Sequence, residues 1–215
     1  AYPILPFALI IAWLVDLIDG LRHIHSKKVV HKDIKAENML VFMGLKAKIS
    51  DFGLSKYCSA TNRNSTIIGG TIAFMAPERR FGANSVPKSD VFSFAMTAVQ
   101  LLTRKQPLLD NFEQQITNAF ANKVENSNKF IEAFKPAVTM SAEQRPSSSH
   151  MNAVVFQLLK EDLGGDPRDY SSNPQAKKLT NEIREKAGNL FEIKLNKGNE
   201  VMESPNNYNM SNNKS

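Results

Sequence analysis

Four side chains of this 215-residue chain are of types that could act together on a hydroxyl group: Asp33, Lys35, Asn38 and Asp51. A carboxylate at Asp33 can hydrogen-bond a hydroxyl and accept its proton late in a reaction. Lys35, two residues on, adds a cation suited to a developing negative charge. Asn38 and Asp51 offer oxygen donors, the ligand type preferred by a hard divalent ion such as Mg²⁺. One of them is neutral and one charged, so together they would hold a metal without building excess negative charge. Four residues separate Asp33 from Asn38, and Asp51 lies 18 residues beyond Asp33. Taken singly these residues have ordinary readings: Asp33 as a turn residue, the neighbouring His31 as a core histidine.

The elements that must position this group are mostly helical. Apolar Ile10, Ile11, Leu14, Leu17, Ile18, Leu21 and Ile24 recur at spacings of three and four, which predicts a helix over residues 7–26. Val29-Val30 reads as a short strand leading into the reactive stretch. Residues 38–42 and 46–50 read as two more, with a turn at Met43-Gly44. Residues 54–75 are rich in Ser, Thr, Asn and Gly with little periodicity and read as a long loop. An almost wholly apolar helix follows over 88–103, with Ser89-Asp90 expected at its cap. Further helices are predicted over 111–121, 128–135 and 147–161, the last with Pro146 at its start. Gly164-Gly165-Asp166-Pro167 ends the pattern.

The run His31-Lys32-Asp33-Ile34-Lys35-Ala36-Glu37-Asn38, followed by Asp51-Phe52-Gly53 and then Ala76-Pro77-Glu78, resembles the catalytic loop and metal-binding motif of eukaryotic-type protein kinases. Gly70-Thr71, Asp90 and Arg145 extend the resemblance, which runs from about residue 5 to about 162 with its motifs in the family's order. It implies roles that composition and spacing do not. Asp33 orients the substrate hydroxyl, Lys35 faces the transferring phosphate, and Asn38 and Asp51 hold Mg²⁺. Thr71 positions substrate by bonding the catalytic Asp and Lys. His31 packs against Phe52, Asp90 braces the catalytic-loop backbone, and Arg145 pairs with Glu78. The implied cofactors are ATP and Mg²⁺, and the implied partners are proteins offering Ser or Thr hydroxyls. Lys35 together with Thr71 resembles the serine/threonine pattern, and Ser89-Asp90-Val91-Phe92-Ser93-Phe94 resembles its tyrosine-kinase-like branch. Ser59, Thr61, Ser65 and Thr66 are candidate regulatory phosphosites. Lys32 stands where the family usually has Arg, so it would meet a phosphate as a point charge and not bidentately.

The fold expected is mainly α (α+β): the carboxy-terminal lobe of a protein kinase, helical with short strands around the catalytic loop. It occupies residues 1–165, with an Asn-rich tail over 166–215. Ten of the last 45 residues are Asn, and the tail reads as disordered apart from room for a short helix. Neither a Gly-rich phosphate loop nor a strand Lys precedes His31, so the amino-terminal lobe that grips ATP is expected outside this sequence. The start at Ala1 fits a piece of a longer kinase. Two functions follow: a protein serine/threonine kinase represented by its catalytic lobe, weak or inert on its own, or a non-catalytic kinase-derived interaction module.

Composition bounds the rest. Hydrophobic residues make up 42%, enough for a core, and the net charge is +6 without blocks of five basic residues, which argues against nucleic acid as a partner. The most apolar run, residues 3–15, is shorter than the roughly 20 residues a membrane-spanning helix requires. A single cysteine, Cys58, excludes an internal disulfide, and a cytoplasmic location is expected.

Overall fold

The computed structural model describes residues 7–42, 45–57, 72–121, 123, 127–163, 178 and 181. Helix α1 (Phe7–Ser26) leads into strand β1 (Val29–Val30) and the stretch His31–Asn38. Strands β2 (Met39–Val41) and β3 (Ala47–Ile49) pair antiparallel, with Leu40 opposite Lys48. Strand β4 (Lys56–Tyr57) pairs antiparallel with β1, Val29 opposite Tyr57. After a short helix α2 (Pro77–Arg80) come α3 (Pro87–Thr103), α4 (Phe112–Phe120), α5 (Ser127–Phe134) and α6 (Ser148–Leu163). The described part is therefore mainly helical with a few short strands, as expected.

Helices α1 and α3 are the centre of the core. Leu9, Ile11, Leu14 and Ile18 of α1 and Val91, Phe92 and Phe94 of α3 are fully enclosed. An all-round apolar helix can be stable only where other elements cover every face; α1 packs against α3, α6 and β3. The α1–β3 crossing is close. A methyl group placed on Gly20 would sit 3.1 Å from Ile49 Cδ1, so glycine permits this approach. Trp13 Nε1–H donates to the Leu45 carbonyl at 2.8 Å, and Asp16 accepts the Ala47 amide at 3.0 Å, tying the β2–β3 hairpin to α1. At the far end, Phe120 stacks on Phe130 at 5.8 Å and Phe94 on Phe134 at 5.6 Å.

Two expectations need correction. Residues 54–75 are not wholly irregular: Lys56–Tyr57 forms β4, and residues 52–54 and 72–74 make single 3₁₀ turns. Two-residue strands exist only by pairing with a distant partner, so they leave no periodicity to read. Of Ser89-Asp90, expected at the helix cap, Ser89 takes part in the cap and Asp90 does not. Helix α3 begins at Pro87 with Val86 as the capping residue, and the Val86 amide donates to Ser89 Oγ at 3.2 Å from the helix's third position. Asp90 instead turns inward and is buried. The expected turn at Met43-Gly44, Cys58, and the tail save Lys178 and Asn181 lie outside the described residues. Among the described residues no helix is long and apolar enough to cross a membrane.

Candidate active site

The side chains of the His31–Asn38 stretch converge on Asp33. Its carboxylate is buried, with Oδ2 2.9 Å from Lys35 Nζ and accepting from Asn38 Nδ2 at 2.8 Å. Asn38 Nδ2 also donates to the Asp33 carbonyl at 2.7 Å. Both amide hydrogens of Asn38 are thus engaged, which leaves its side-chain oxygen as the atom able to face a cation.

Asp51 is brought alongside by the residue before it. The Ser50 amide and hydroxyl both donate to the Asn38 carbonyl at 2.9 Å, and the Ser50 carbonyl lies 3.0 Å from His31 Nε2. His31 Nδ1 accepts the Asp33 amide at 3.3 Å, so the ring proton belongs on Nε2, pointing at Ser50. Asp51 itself adopts left-handed geometry at φ 61° and is exposed; its Oδ1 accepts the Gly53 amide at 3.3 Å. The oxygen-donor chemistry that Asn38 and Asp51 offer is sparse. It fits Mg²⁺, which keeps waters and takes phosphate oxygens to complete its shell. Among the described residues no group of three His, Cys, Asp or Glu side chains would hold a metal unaided.

Behind the loop lies a buried polar brace. Asp90 Oδ2 accepts the His31 amide at 2.7 Å and Oδ1 the Lys32 amide at 2.9 Å. His25 Nε2 lies 3.0 Å from the same Oδ2, while His25 Nδ1 lies 2.8 Å from Ser148 Oγ. With a proton on Nε2 facing Asp90, both ring nitrogens of His25 have partners. The loop's far end is tied to α3 through Gln100, whose Oε1 accepts the Ala36 amide at 3.1 Å and whose Nε2 donates to Glu37 at 2.7 Å.

Arg145 and Glu78 make a two-pronged pair. Nη1 donates to Oε1 at 2.9 Å and Nη2 to Oε2 at 2.7 Å, with the Arg145 side chain fully buried. Carbonyls of Thr139, Lys88 and Met140 take remaining Arg145 hydrogens, and its guanidinium lies 5.0 Å above the Phe92 ring. Burial works against the Glu78 charge, but hydrogen bonds from Arg145 and Ser89 outweigh it and hold the carboxyl below its ordinary range.

The structure therefore brings together Asp33, Lys35, Asn38, His31 and Asp90, places Asp51 next to them, and sets His31 edge-on to Phe52 at 4.8 Å. Phe52 remains 47% exposed, so its packing is one-sided. Glu78 and Arg145 are joined as expected. Thr71, Ser59, Thr61, Ser65 and Thr66 lie outside the described residues. Sequence reasoning missed Ser50, His25 and Gln100. Ser50 adjoins Asp51 and was the most accessible of the three; His25 and Gln100 sit within helical periodicity and carried no signal of their own.

A sequence pattern for the protein kinase domain matches residues 5–181. The chain belongs to the protein kinase domain family. Relatives of this kinase domain include a receptor protein-tyrosine kinase of Arabidopsis thaliana, CEPR1, 28% identical over 186 residues covering 76% of this chain and 19% of the relative. A probable serine/threonine-protein kinase of Dictyostelium discoideum is 29% identical over 183 residues, covering 79% of this chain and 42% of its own length. A mitogen-activated protein kinase kinase kinase of Caenorhabditis briggsae, dlk-1, is 29% identical over 158 residues, 70% of this chain and 18% of its own. The kinase domain described here thus spans less than half the length of each of these relatives.

Proposed function

We propose that this chain is the catalytic carboxy-terminal lobe of a protein serine/threonine kinase that transfers phosphate from ATP, with Mg²⁺, to protein hydroxyls. One observation carries the reading: Asp33, Lys35 and Asn38 form a single bonded cluster, and Ser50 fastens Asp51 beside it. ATP and Mg²⁺, when bound, supply the phosphoryl group and neutralise its charge. Asp33 hydrogen-bonds the incoming hydroxyl and accepts its proton late. The Lys35 ammonium, already beside Asp33 Oδ2, would face the charge that develops on the group in transfer. The Asn38 side-chain oxygen and the Asp51 carboxylate would hold the metal. Leu40, Val41, Phe42, Phe52 and Leu54 are exposed on strands and turns adjoining this cluster. They are the surface on which the rest of the nucleotide site would close. Names of the relatives include both tyrosine and serine/threonine kinases; Lys35 with Thr71 favours the second.

The test is phosphotransfer by the full-length protein. With Mg-ATP and peptides offering Ser, Thr or Tyr, the expected result is labelling of Ser and Thr. Asp33→Asn should lower the rate by roughly 10²–10⁴-fold, the contribution of a positioned general base. Wild-type activity in that variant would overturn the reading.

A further inference from the structure

The residue before Asp33 holds an uncommon backbone. Lys32 has φ 77°, a left-handed conformation that a non-glycine residue keeps only where its surroundings enforce it. The enforcement can be followed peptide by peptide. The unit joining His31 to Lys32 is held at its amide by Asp90 at 2.9 Å and at its carbonyl by Ser55 Oγ at 3.3 Å. The unit joining Lys32 to Asp33 is held at its amide by His31 Nδ1 at 3.3 Å. Its carbonyl accepts from Arg79 Nη1 at 3.2 Å. Arg79 is therefore the cationic member of this set, and it arrives from α2, immediately after Ala76-Pro77-Glu78. Burial disfavours its charge, and Asp90, Glu78 and Asp33 favour it. The space between Arg79, Asp33, Asp90 and Ser93 is only about 10 Å³, on the scale of one water.

We propose that Arg79 is a positioning residue for Asp33: by gripping the Lys32 carbonyl it sets the peptide plane from which the Asp33 side chain projects, and it joins α2 mechanically to the reacting carboxylate. The link rests on the reading of Asp33 given above. It assigns Arg79 no contact with substrate. A charged donor to a carbonyl is stronger than a neutral one, so its loss removes the charged one of the four bonds that hold Lys32 left-handed and lets the peptide before Asp33 turn more freely.

The experiment uses the full-length protein with Arg79→Met, which fills the space without donating, and Arg79→Lys, which restores one charged donor. Arg79→Met should lower kcat by about 10- to 100-fold, the fold-change expected for a lost charged hydrogen bond, with KM for ATP and peptide unchanged. Arg79→Lys should recover most of kcat at neutral pH and lose it on the alkaline side, below the ordinary lysine pKa of about 10.4, where the wild-type guanidinium stays charged. Amide hydrogen exchange over residues 29–38 should be about tenfold faster in Arg79→Met and near wild type in Arg79→Lys, with α1 and α3 unchanged. Wild-type kcat in Arg79→Met overturns the proposal, as does an equal, pH-independent loss in both variants. If Arg79→Met does not fold, the presence or absence of the alkaline loss in Arg79→Lys decides. If the wild-type protein transfers no phosphate, the catalytic reading falls by itself. The exchange comparison then still decides whether Arg79 holds the loop, unchanged exchange overturning it.

Discussion

The inner and outer sides of the candidate site are built by different means. On the inner side His31 and Lys32 are bonded to residues 24 or more positions away, through Ser55, Arg79 and Asp90, and Asp33 is bonded in turn to His31, Lys35 and Asn38. Asp90 is in turn backed by His25 and Ser148. On the outer side Asp51 receives a bond only from Gly53 among those described, and Phe52 and Leu54 stand half in solvent. The inner side is a fixed part of the helical core; the outer side takes its position from Ser50 and from whatever packs above it. On the proposed function, such a division keeps Asp33, the proposed proton acceptor, rigid. It leaves Asp51, the proposed metal ligand, to be positioned by the rest of the proposed nucleotide site.

That contrast can be broken at its stiffest point first. Arg145→Met leaves Glu78 half-buried without its partner, and should cost about 3–5 kcal/mol in chemical denaturation. Adding Glu78→Leu should return a large part of that loss, because the stranded charge is then gone. No recovery in the double variant would mean that the remaining Arg145 contacts, to three carbonyls and the Phe92 ring, matter more than the ion pair.

Acid acts on the same pair without mutation. The Glu78 carboxyl lies below its ordinary value of 4.5 in the folded chain and returns to it on unfolding. Its contribution to stability is therefore complete at neutral pH and is lost as pH falls below 4.5 and through the lower folded value. Denaturation midpoints measured from pH 7 downward should fall more steeply for wild type than for Glu78→Gln. Parallel curves would remove Glu78 from the acid response.

The outer side should show the smallest effect. Phe52→Leu removes one edge-on aromatic contact with His31 from a residue that is already 47% exposed. Stability should change by no more than about 1 kcal/mol. Nucleotide affinity of the full-length protein should change more, if packing above Phe52 is what completes the outer side. A loss of several kcal/mol in the lobe itself would erase the distinction between the two sides.

Much of this was legible in the chain. Periodicity of three and four located α1, and apolar character with proline punctuation located α3 to α6, to within a residue or two, because a helix carries much of its packing in its own residues. The local grouping of Asp33, Lys35 and Asn38 could be read for the same reason: all three sit on one turn of chain. Distant contacts were not legible. Lys56–Tyr57 is a strand only because Val29–Val30 is beside it, Ser89 serves Val86 and Glu78 from inside a helix, and Arg79 reaches a carbonyl 47 residues earlier.

By itself, then, the sequence determined which residues could do chemistry, the order of the helices, and the pairing of Glu78 with Arg145 that the family resemblance implies. Tertiary structure alone decided how the peptide before Asp33 is oriented and which groups hold it there. The physical reason is that side-chain chemistry and helical spacing are properties of a residue and its near neighbours. A left-handed Lys32 held between Asp90 and Arg79 is a balance of strain and long-range hydrogen bonds, and it exists only after the chain has folded.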